Sequence, residues 1–179
     1  MPNVHTLVLY IENRYPVDGS QHRLLLALYS ALPNLTTLHL LKLDTTSSLQ
    51  HTLSLTQYAP QSRIPTLRHL GIQRGFFRTV QEVIGTVRTQ KDVLRSIEIR
   101  RTCIPSVVDL LAVLQRELPC LENVEFEENT VGPWDDVWFR WADGEYDRGR
   151  HAREMVEEKG VRQTLDEMIA GLRLVRPRS

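Results

Sequence analysis

Apolar residues recur along the first 131 residues in one arrangement, apolar-x-x-apolar-x-apolar, where x is any residue. The copies begin at Val4, Leu35, Leu67, Leu94 and Leu121. Successive copies therefore start 31, 32, 27 and 27 residues apart. A short pattern that returns at such regular intervals indicates an internal repeat. It predicts a fold built from five similar units stacked in chain order.

The end of each copy alternates apolar, variable and apolar, as in Leu38-His39-Leu40. Successive residues of a β-strand point to opposite faces, so this pattern predicts a strand with one buried face. A single strand of this kind cannot bury its face alone, whereas stacked parallel strands can. We therefore expect one contiguous buried row, formed by Leu38, Leu70, Ile97 and Val124.

The segments between the strands predict helices that cross back over the buried face, as parallel strands require. Residues 79–82, Thr-Val-Gln-Glu, form a capping-box pattern before apolar residues at helical spacing. Ser106 opens a similar segment, and Leu24 to Leu32 form another amphipathic stretch. The segment from Thr45 to Arg63 is a weaker helix candidate because it is rich in serine and threonine.

The repeats resemble the leucine-rich repeat, L-x-x-L-x-L, in its long helix-containing form. The pre-strand segments LPNL, IPTL and LPCL resemble repeats of fungal F-box-type proteins. This resemblance spans roughly Met1 to Val131. It implies an α/β leucine-rich-repeat solenoid, with parallel strands on the concave side and helices on the convex side. It also implies substrate recruitment for a ubiquitin ligase.

Two features depart from that family. The family often places Asn or Cys three residues after the last strand leucine, where the side chain satisfies backbone groups of the turn. The equivalent positions here are Glu12, Leu43, Gly75, Thr102 and Asn129. Only the last fits, so the family's turn is predicted for one copy alone. No F-box segment precedes the first strand, and we therefore expect a fragment or a truncated gene product.

The repeat stops after Val131, at Gly132-Pro133. Trp134, Trp138 and Trp141 follow at i, i+4 and i+7, which predicts one stripe of a helix. We interpret this stripe as a cap over the open end of the core, in preference to an aromatic binding site. Residues 161–172 predict a final amphipathic helix before a frayed tail. The predicted domains are thus 1–131, five repeats, and 132–179, a helical cap and tail.

Strand positions that point away from the core define a continuous candidate surface for binding another protein. The candidate residues are Tyr10, His39, His69, Gln73, Arg95, Glu98, Arg100, Glu125 and Glu127. Glu98 and Glu125 should lie side by side and repel each other, unless Arg100 offsets the repulsion. The alternative is an ordinary solvated face, where salt screens these charges.

The 22 basic and 22 acidic residues balance, but they are segregated along the chain. Residues 62–101 contain nine basic and three acidic residues, and residues 117–147 contain one basic and ten acidic residues. If the repeats stack in chain order, the molecule is dipolar. Such a dipole would steer a charged partner, or it would favour head-to-tail self-association.

Motifs of known catalytic chemistry are absent: the sequence has no phosphate-binding glycine loop, nucleophile elbow, metalloprotease helix or Cys-x-x-Cys pair. We expect no enzyme activity and no cofactor. His39 and His69 should lie diagonally on adjacent strands, but without a neighbouring cysteine or suitable carboxylate they predict exposed imidazoles and no metal site. Few aromatic residues lie among the basic ones, which does not favour nucleic-acid binding.

The remaining features concern the compartment. Cys103 and Cys120 should lie at opposite ends of the sheet, too far apart for a disulfide, which is typical of free thiols in a reducing compartment. The chain has no signal-peptide pattern and no apolar run of the about 18 residues that a membrane span needs. We therefore expect an intracellular protein, cytoplasmic or nuclear, that does not enter membranes.

Together these features predict a non-catalytic protein–protein interaction module. The alternative is a structural fragment of a larger repeat horseshoe, whose binding surface lies upstream of this chain.

Overall fold

The computed structural model describes residues 3–12, 25, 27–43, 63–75, 77, 79–131, 135–141 and 144–175. It is an α/β fold built around one five-stranded parallel sheet, in which the strands lie side by side in chain order. These strands are β1 (Thr6–Glu12), β2 (Thr37–Leu43), β3 (His69–Gln73), β4 (Ser96–Arg100) and β5 (Asn123–Glu127). No helix in the described ranges is long and apolar enough to cross a bilayer.

The register of the sheet aligns the repeated apolar positions. Leu38 lies opposite Leu70, which lies opposite Ile97, which lies opposite Val124. All four side chains have 0% exposure, so the predicted contiguous buried row is confirmed. A second buried row runs parallel to the first, through Leu40, Ile72, Ile99 and Phe126.

Two of the predicted helices are described over their full length. Helix α1 (Val80–Thr89) follows β3 and helix α2 (Val107–Glu117) follows β4, and the buried apolar residues of both join the core beneath the strands. The Ser106 hydroxyl caps α2 by accepting a hydrogen bond from the Asp109 N–H at 3.4 Å. The capping-box reading at Thr79 is wrong, because its side chain makes no capping hydrogen bond.

The helix predicted at residues 24–32 is described in part: residues 25 and 27–30 are helical. The weaker helix candidate of residues 45–63 lies outside the described residues, except for its last residue.

One turn conformation recurs at the ends of β3, β4 and β5. Arg74, Arg101 and Glu128 have φ values of 54°, 50° and 53°, and they are spaced by 27 residues. Few non-glycine residues adopt this left-handed conformation, so its threefold recurrence is a property of the repeat. The N–H of Arg74 donates to the carbonyl of Arg100, and the N–H of Arg101 donates to the carbonyl of Glu127.

Side chains connect these turns into a ladder. The amide of Asn129, 1% exposed, donates to the Ile99 carbonyl at 2.9 Å and accepts from the Thr102 N–H at 3.0 Å. The Thr102 hydroxyl in turn accepts from the Gly75 N–H at 3.2 Å and donates to the Arg100 carbonyl at 2.9 Å. Thr102 thus satisfies backbone groups of the turn although it is neither Asn nor Cys.

The segment after the repeats is not wholly helical, contrary to the sequence-based expectation. Its antiparallel sheet contains β6 (Thr130–Val131), β7 (Asp135–Arg140), β8 (Tyr146–Asp147) and β9 (Leu172–Val175). Helices α3 (Ala152–Lys159) and α4 (Val161–Gly171) lie between β8 and β9. The predicted final helix is confirmed as α4, although Leu172 already belongs to β9. Of the tail that was expected to fray, residues 173–175 pair with β7 instead, and residues 176–179 lie outside the described residues.

The predicted tryptophan helix is wrong. Trp138 lies within β7 and Trp141 directly follows it, while Trp134 lies outside the described residues. The buried residues here are Val137, Phe139 and Trp141, which recur every second position. This strand period overrides the helical spacing of the tryptophans, since β6, β8 and β9 supply β7 with hydrogen-bond partners.

The C-terminal segment joins the repeats at β5. The N–H of Glu128 donates to the Arg148 carbonyl at 2.9 Å, the bond that Arg74 and Arg101 make to the next strand in the earlier copies. Gly149 has a φ of 93°, and a Cβ atom there would lie 1.6 Å from the Phe126 carbonyl oxygen. Only glycine permits this approach. Phe139 also packs edge-on against Phe126, with ring centroids 6.3 Å apart.

Cys103 and Cys120 form no disulfide with each other, in line with their expected separation. Cys103 is buried and Cys120 is half-buried.

Candidate functional site

The candidate surface lies on the sheet face opposite the helices. Its positions alternate with the buried rows, so neighbouring strands place their outward residues side by side. Glu98 pairs with Gly71 on one side and Glu125 on the other, and Arg100 pairs with Gln73 and Glu127. The predicted adjacency of Glu98 and Glu125 is therefore confirmed.

Arg100 holds the three carboxylates of this surface together. Its guanidinium lies 2.5 Å from Glu125, 2.9 Å from Glu98 and 3.5 Å from Glu127. The hydrogen bond that Arg100 donates to Glu125 is the largest effect that raises the pKa of Arg100. Arg100 thus offsets the repulsion that two adjacent glutamates would otherwise produce, as the sequence suggested.

Glu98 is the most deeply placed acid of the group, at 9% exposure. Its two carboxylate oxygens have different neighbours. Oε1 accepts a hydrogen bond from Gln73 Nε2 at 2.7 Å and contacts Arg100 Nε at 2.9 Å. Oε2 faces His69, whose Nε2 atom lies 3.7 Å away. A buried carboxylate is costly without partners, and these contacts supply them.

The two histidines lie diagonally on β2 and β3, as predicted, with ring centroids 4.9 Å apart. The ring of His39 lies over Gly71: a Cβ atom there would meet His39 Nδ1 at 2.2 Å. His69 Nδ1 lies 3.0 Å from the Ser96 hydroxyl. Burial lowers the pKa of His69 and the neighbouring His39 lowers it further, while Glu98 opposes both effects.

The expectation of exposed imidazoles without a neighbouring carboxylate is wrong. Both histidines are half-buried, and Glu98 is within reach of His69. Sequence spacing placed Glu98 on the adjacent strand, but the direction of its side chain toward His69 depends on Gln73 and Arg100, which hold its other oxygen.

Seven of the nine candidate residues form a connected group across β2 to β5, which we name the strand-face network. Its members are His39, His69, Gln73, Glu98, Arg100, Glu125 and Glu127. Tyr10 lies apart from it on β1, with 63% of its surface exposed. Arg95 also lies apart, since it precedes β4 and pairs with the exposed Glu122.

Arg150 and Arg153 of the C-terminal segment were not among the predicted residues. Arg150 lies 3.3 Å from Glu127 and 2.7 Å from Glu128, and Arg153 lies 4.0 Å from Glu125. Both line a shallow cleft beside Arg100, together with the backbone of Gly149. No local pattern shows that this segment folds back over β5. The sequence signal that could have indicated this contact was charge, because these arginines directly follow the acidic stretch of residues 117–147.

The same contacts reduce the predicted dipole. The acidic stretch of residues 117–147 is not left as a bare acidic end, since Arg148 also pairs with Asp136 at 2.8 Å. The hydrogen bond from Arg150, and then that from Arg101, lower the pKa of Glu128. Ion pairing within the molecule therefore neutralises part of the charge that the stretch would present to a partner.

Comparison with known proteins gives no further guide: no family model matches the chain, and neither the curated proteins nor the solved structures contain a match.

Proposed function

We propose that this chain is a non-catalytic protein-interaction module, a leucine-rich-repeat solenoid whose outward strand face binds another protein. The five parallel strands in chain order, the aligned apolar rows and the recurring turn support the solenoid. By its resemblance to F-box-type repeats, the module would recruit a substrate to a ubiquitin ligase. The strand-face network carries the proposal.

The strand-face network is suited to binding because its side chains are already ordered. Arg100 contacts three glutamates, and Gln73 and His69 contact one of them. Side chains held in this way lose less conformational entropy when a partner docks. Mixed charges at fixed positions also discriminate between partners, since a wrongly placed charge would be repelled.

The surface also limits the form of the partner. Five strands about 4.8 Å apart give a width of about 19 Å, which about six residues of an extended chain would cover. At one side Tyr10 offers an exposed aromatic ring, and aromatic residues often anchor interfaces. At the other side lie the acids of β4 and β5. A segment with an apolar group at one end and a basic group at the other fits this surface.

Two substitutions test the surface while leaving the short ion pairs of Arg100 intact, since Arg153→Glu gives up only a 4.0 Å contact to Glu125 and a 3.6 Å contact to Glu157. Tyr10→Ser removes the exposed ring, and Arg153→Glu reverses a charge that is 66% exposed. Arg116→Glu, on the exposed side of α2, is the matched control because it makes the same charge change away from the strands. Partners would be captured by cross-linking from a cell lysate and quantified for each variant, with melting temperatures measured in parallel.

We expect Tyr10→Ser to reduce recovery of the partner about tenfold. Arg153→Glu should increase recovery, because it adds negative charge beside the acids that would bind the partner's basic group, while recovery with the control and the melting temperatures stay unchanged. Equal recovery with all variants would place the interface elsewhere. Recovery of only the chain itself, with a dimer in sedimentation, would identify head-to-tail self-association instead. Substitutions at Arg100 or Glu125 are less suitable, because each also breaks an ion pair within the surface.

A second candidate is a structural role within a larger horseshoe, with the binding surface elsewhere. Within the described ranges no strand pairs with the outer edge of β1, where Val8 and Tyr10 are exposed. Such an edge can accept a further strand. Sequencing the 5′ end of the transcript separates the candidates: further repeats support this one, and an F-box supports substrate recruitment.

A further inference from the structure

Three side chains on the strand face bring together ligand atoms that metal ions favour. The nitrogen atoms of His39 and His69 and a carboxylate oxygen of Glu98 all lie within 4.8 Å of one another. The three residues come from three adjacent strands, β2, β3 and β4. Neither the repeat nor the buried core requires a histidine or a glutamate at these positions, because all three point away from the core.

We propose that His39, His69 and Glu98 form a binding site for a divalent transition-metal ion of the zinc class. Two imidazole nitrogens and one carboxylate oxygen form a donor set that zinc accepts in proteins, with a fourth position left for water or another ligand. Magnesium and calcium prefer oxygen donors alone, so this set does not favour them.

The surrounding contacts orient each donor. Ser96 contacts His69 at Nδ1, which leaves Nε2 as the nitrogen that faces Glu98. Gln73 and Arg100 hold Glu98 through Oε1, which leaves Oε2 facing His69. Metal sites commonly have a second layer of hydrogen bonds that fixes the ligands in this way. Each of these supporting residues therefore has a function in the site beyond the sheet itself.

The distances require only a small adjustment. Bonds of about 2.0–2.1 Å in a tetrahedron place neighbouring donor atoms about 3.4 Å apart. His69 Nε2 and Glu98 Oε2 are already 3.7 Å apart, and no pair of ligand atoms is more than 4.8 Å apart. Side-chain rotations that move the ligand atoms by up to about 1.4 Å would complete the geometry.

The local charge and the local space both suit a cation. Glu98, the carboxylate that faces His69, is contacted by Arg100 but, among the described residues, by neither Arg150 nor Arg153. Arg150 and Arg153 reach Glu127 and Glu125, on the side away from the histidines. Gly71 pairs with His39 across the two strands, and any larger residue there would displace the His39 ring.

This site is independent of the protein partner proposed above, because it needs no residue outside the chain. Purified protein would be treated with a chelator, dialysed and titrated with zinc chloride in a calorimeter. We expect one zinc ion per chain, and at least tenfold weaker binding by His39→Ala and by Glu98→Gln. His5→Ala is the control, since it removes a strand-side histidine whose Nδ1 contacts the Asn34 carbonyl instead.

NMR of the wild-type chain keeps the test decisive if a variant fails to fold. Zinc should shift the ring signals of His39 and His69, with saturation at one equivalent, and leave those of His5 and His151 unchanged. Shifts of all histidines without saturation, or equal weakening by His5→Ala and His39→Ala, would mean adventitious surface binding and overturn the proposal. Absence of any heat and any shift would overturn it as well.

Discussion

The five-stranded sheet and the C-terminal segment are stabilised in different ways. In the sheet, each of the inner strands β2, β3 and β4 pairs with two parallel neighbours, and one turn conformation recurs at the ends of β3 to β5. In the C-terminal segment, β7 collects three antiparallel partners, and the contact with the sheet at β5 includes a single glycine.

The two regions should differ in how well they tolerate substitutions. A repeated contact is one of several equivalent contacts, so the loss of one copy leaves the others in place. A contact made once has no equivalent copy elsewhere in the chain, so its loss is not shared among similar contacts. We therefore expect the largest effects at the junction of the two regions, smaller effects in the repeated turns and the smallest effects among exposed ion pairs.

The largest expected effect is that of Gly149→Ala. The new Cβ atom would collide with the Phe126 carbonyl, and alanine is strained at a φ of 93°. We expect a loss of about 4 kcal/mol in the free energy of unfolding, measured with urea. In hydrogen exchange, the Glu128 amide should lose its protection, because it donates to the Arg148 carbonyl.

Gly144→Ala is the matched control for this junction. Gly144 has a similar φ of 91° but nothing within 4 Å of its would-be Cβ atom. Strain alone should cost about 1–2 kcal/mol there. Equal losses for the two variants would show that the approach of Gly149 to β5 does not hold the regions together.

A smaller effect is expected for Asn129→Ala in the repeated turn. The substitution leaves the Ile99 carbonyl and the Thr102 N–H without their partner in a buried site. We expect a loss of about 2–3 kcal/mol in urea unfolding. Asn123→Ala, which removes only a 3.5 Å contact to Ser96, should change stability far less. Equal losses in the free energy of unfolding for Asn129→Ala and Asn123→Ala would show that the side-chain ladder does not stabilise the turns.

Arg100→Met tests the strand-face network. The substitution leaves Glu98 and Glu125 adjacent without the guanidinium between them. We expect a loss of about 1 kcal/mol, because the Arg100 side chain is 38% exposed and water screens the remaining charges. Arg95→Met, in an exposed pair with Glu122, should have no measurable effect. If the free energy of unfolding of Arg100→Met equals that of the wild type, Arg100 does not stabilise the glutamates of the strand-face network.

The smallest expected effect concerns pH at the junction. The pKa of Glu128 is lowered from 4.5 by its bonds to Arg150 and Arg101, so the folded state holds its proton less tightly than the unfolded state. Its contribution is therefore present above about pH 4.5 and is lost as the pH falls through the folded pKa. Glu128→Gln should flatten the decline of stability below pH 4.5, and an unchanged decline would assign it to other acids.

The sequence predicted which residues belong to the candidate site better than it predicted the contacts between them. Strand alternation and spacing placed Glu98 beside Glu125 and His39 diagonal to His69, because the register follows from the repeat. Which atoms meet could not be predicted. Glu98 reaches toward His69 because Gln73 and Arg100 occupy its other oxygen, and such choices depend on side-chain rotation in three dimensions.

The five-stranded sheet could be predicted from the chain's amino-acid pattern. Five copies of one apolar pattern specify a strand period, a buried face and a chain order, and each copy supports the others. The C-terminal segment depends on contacts that form only in the folded molecule. Trp138 lies in a strand because three other strands pair with β7. Arg150 contacts β5 because the carboxylate of Glu127 lies there. A pattern that occurs only once cannot be compared with other copies in the sequence, and its structure depends on contacts with residues far away along the chain.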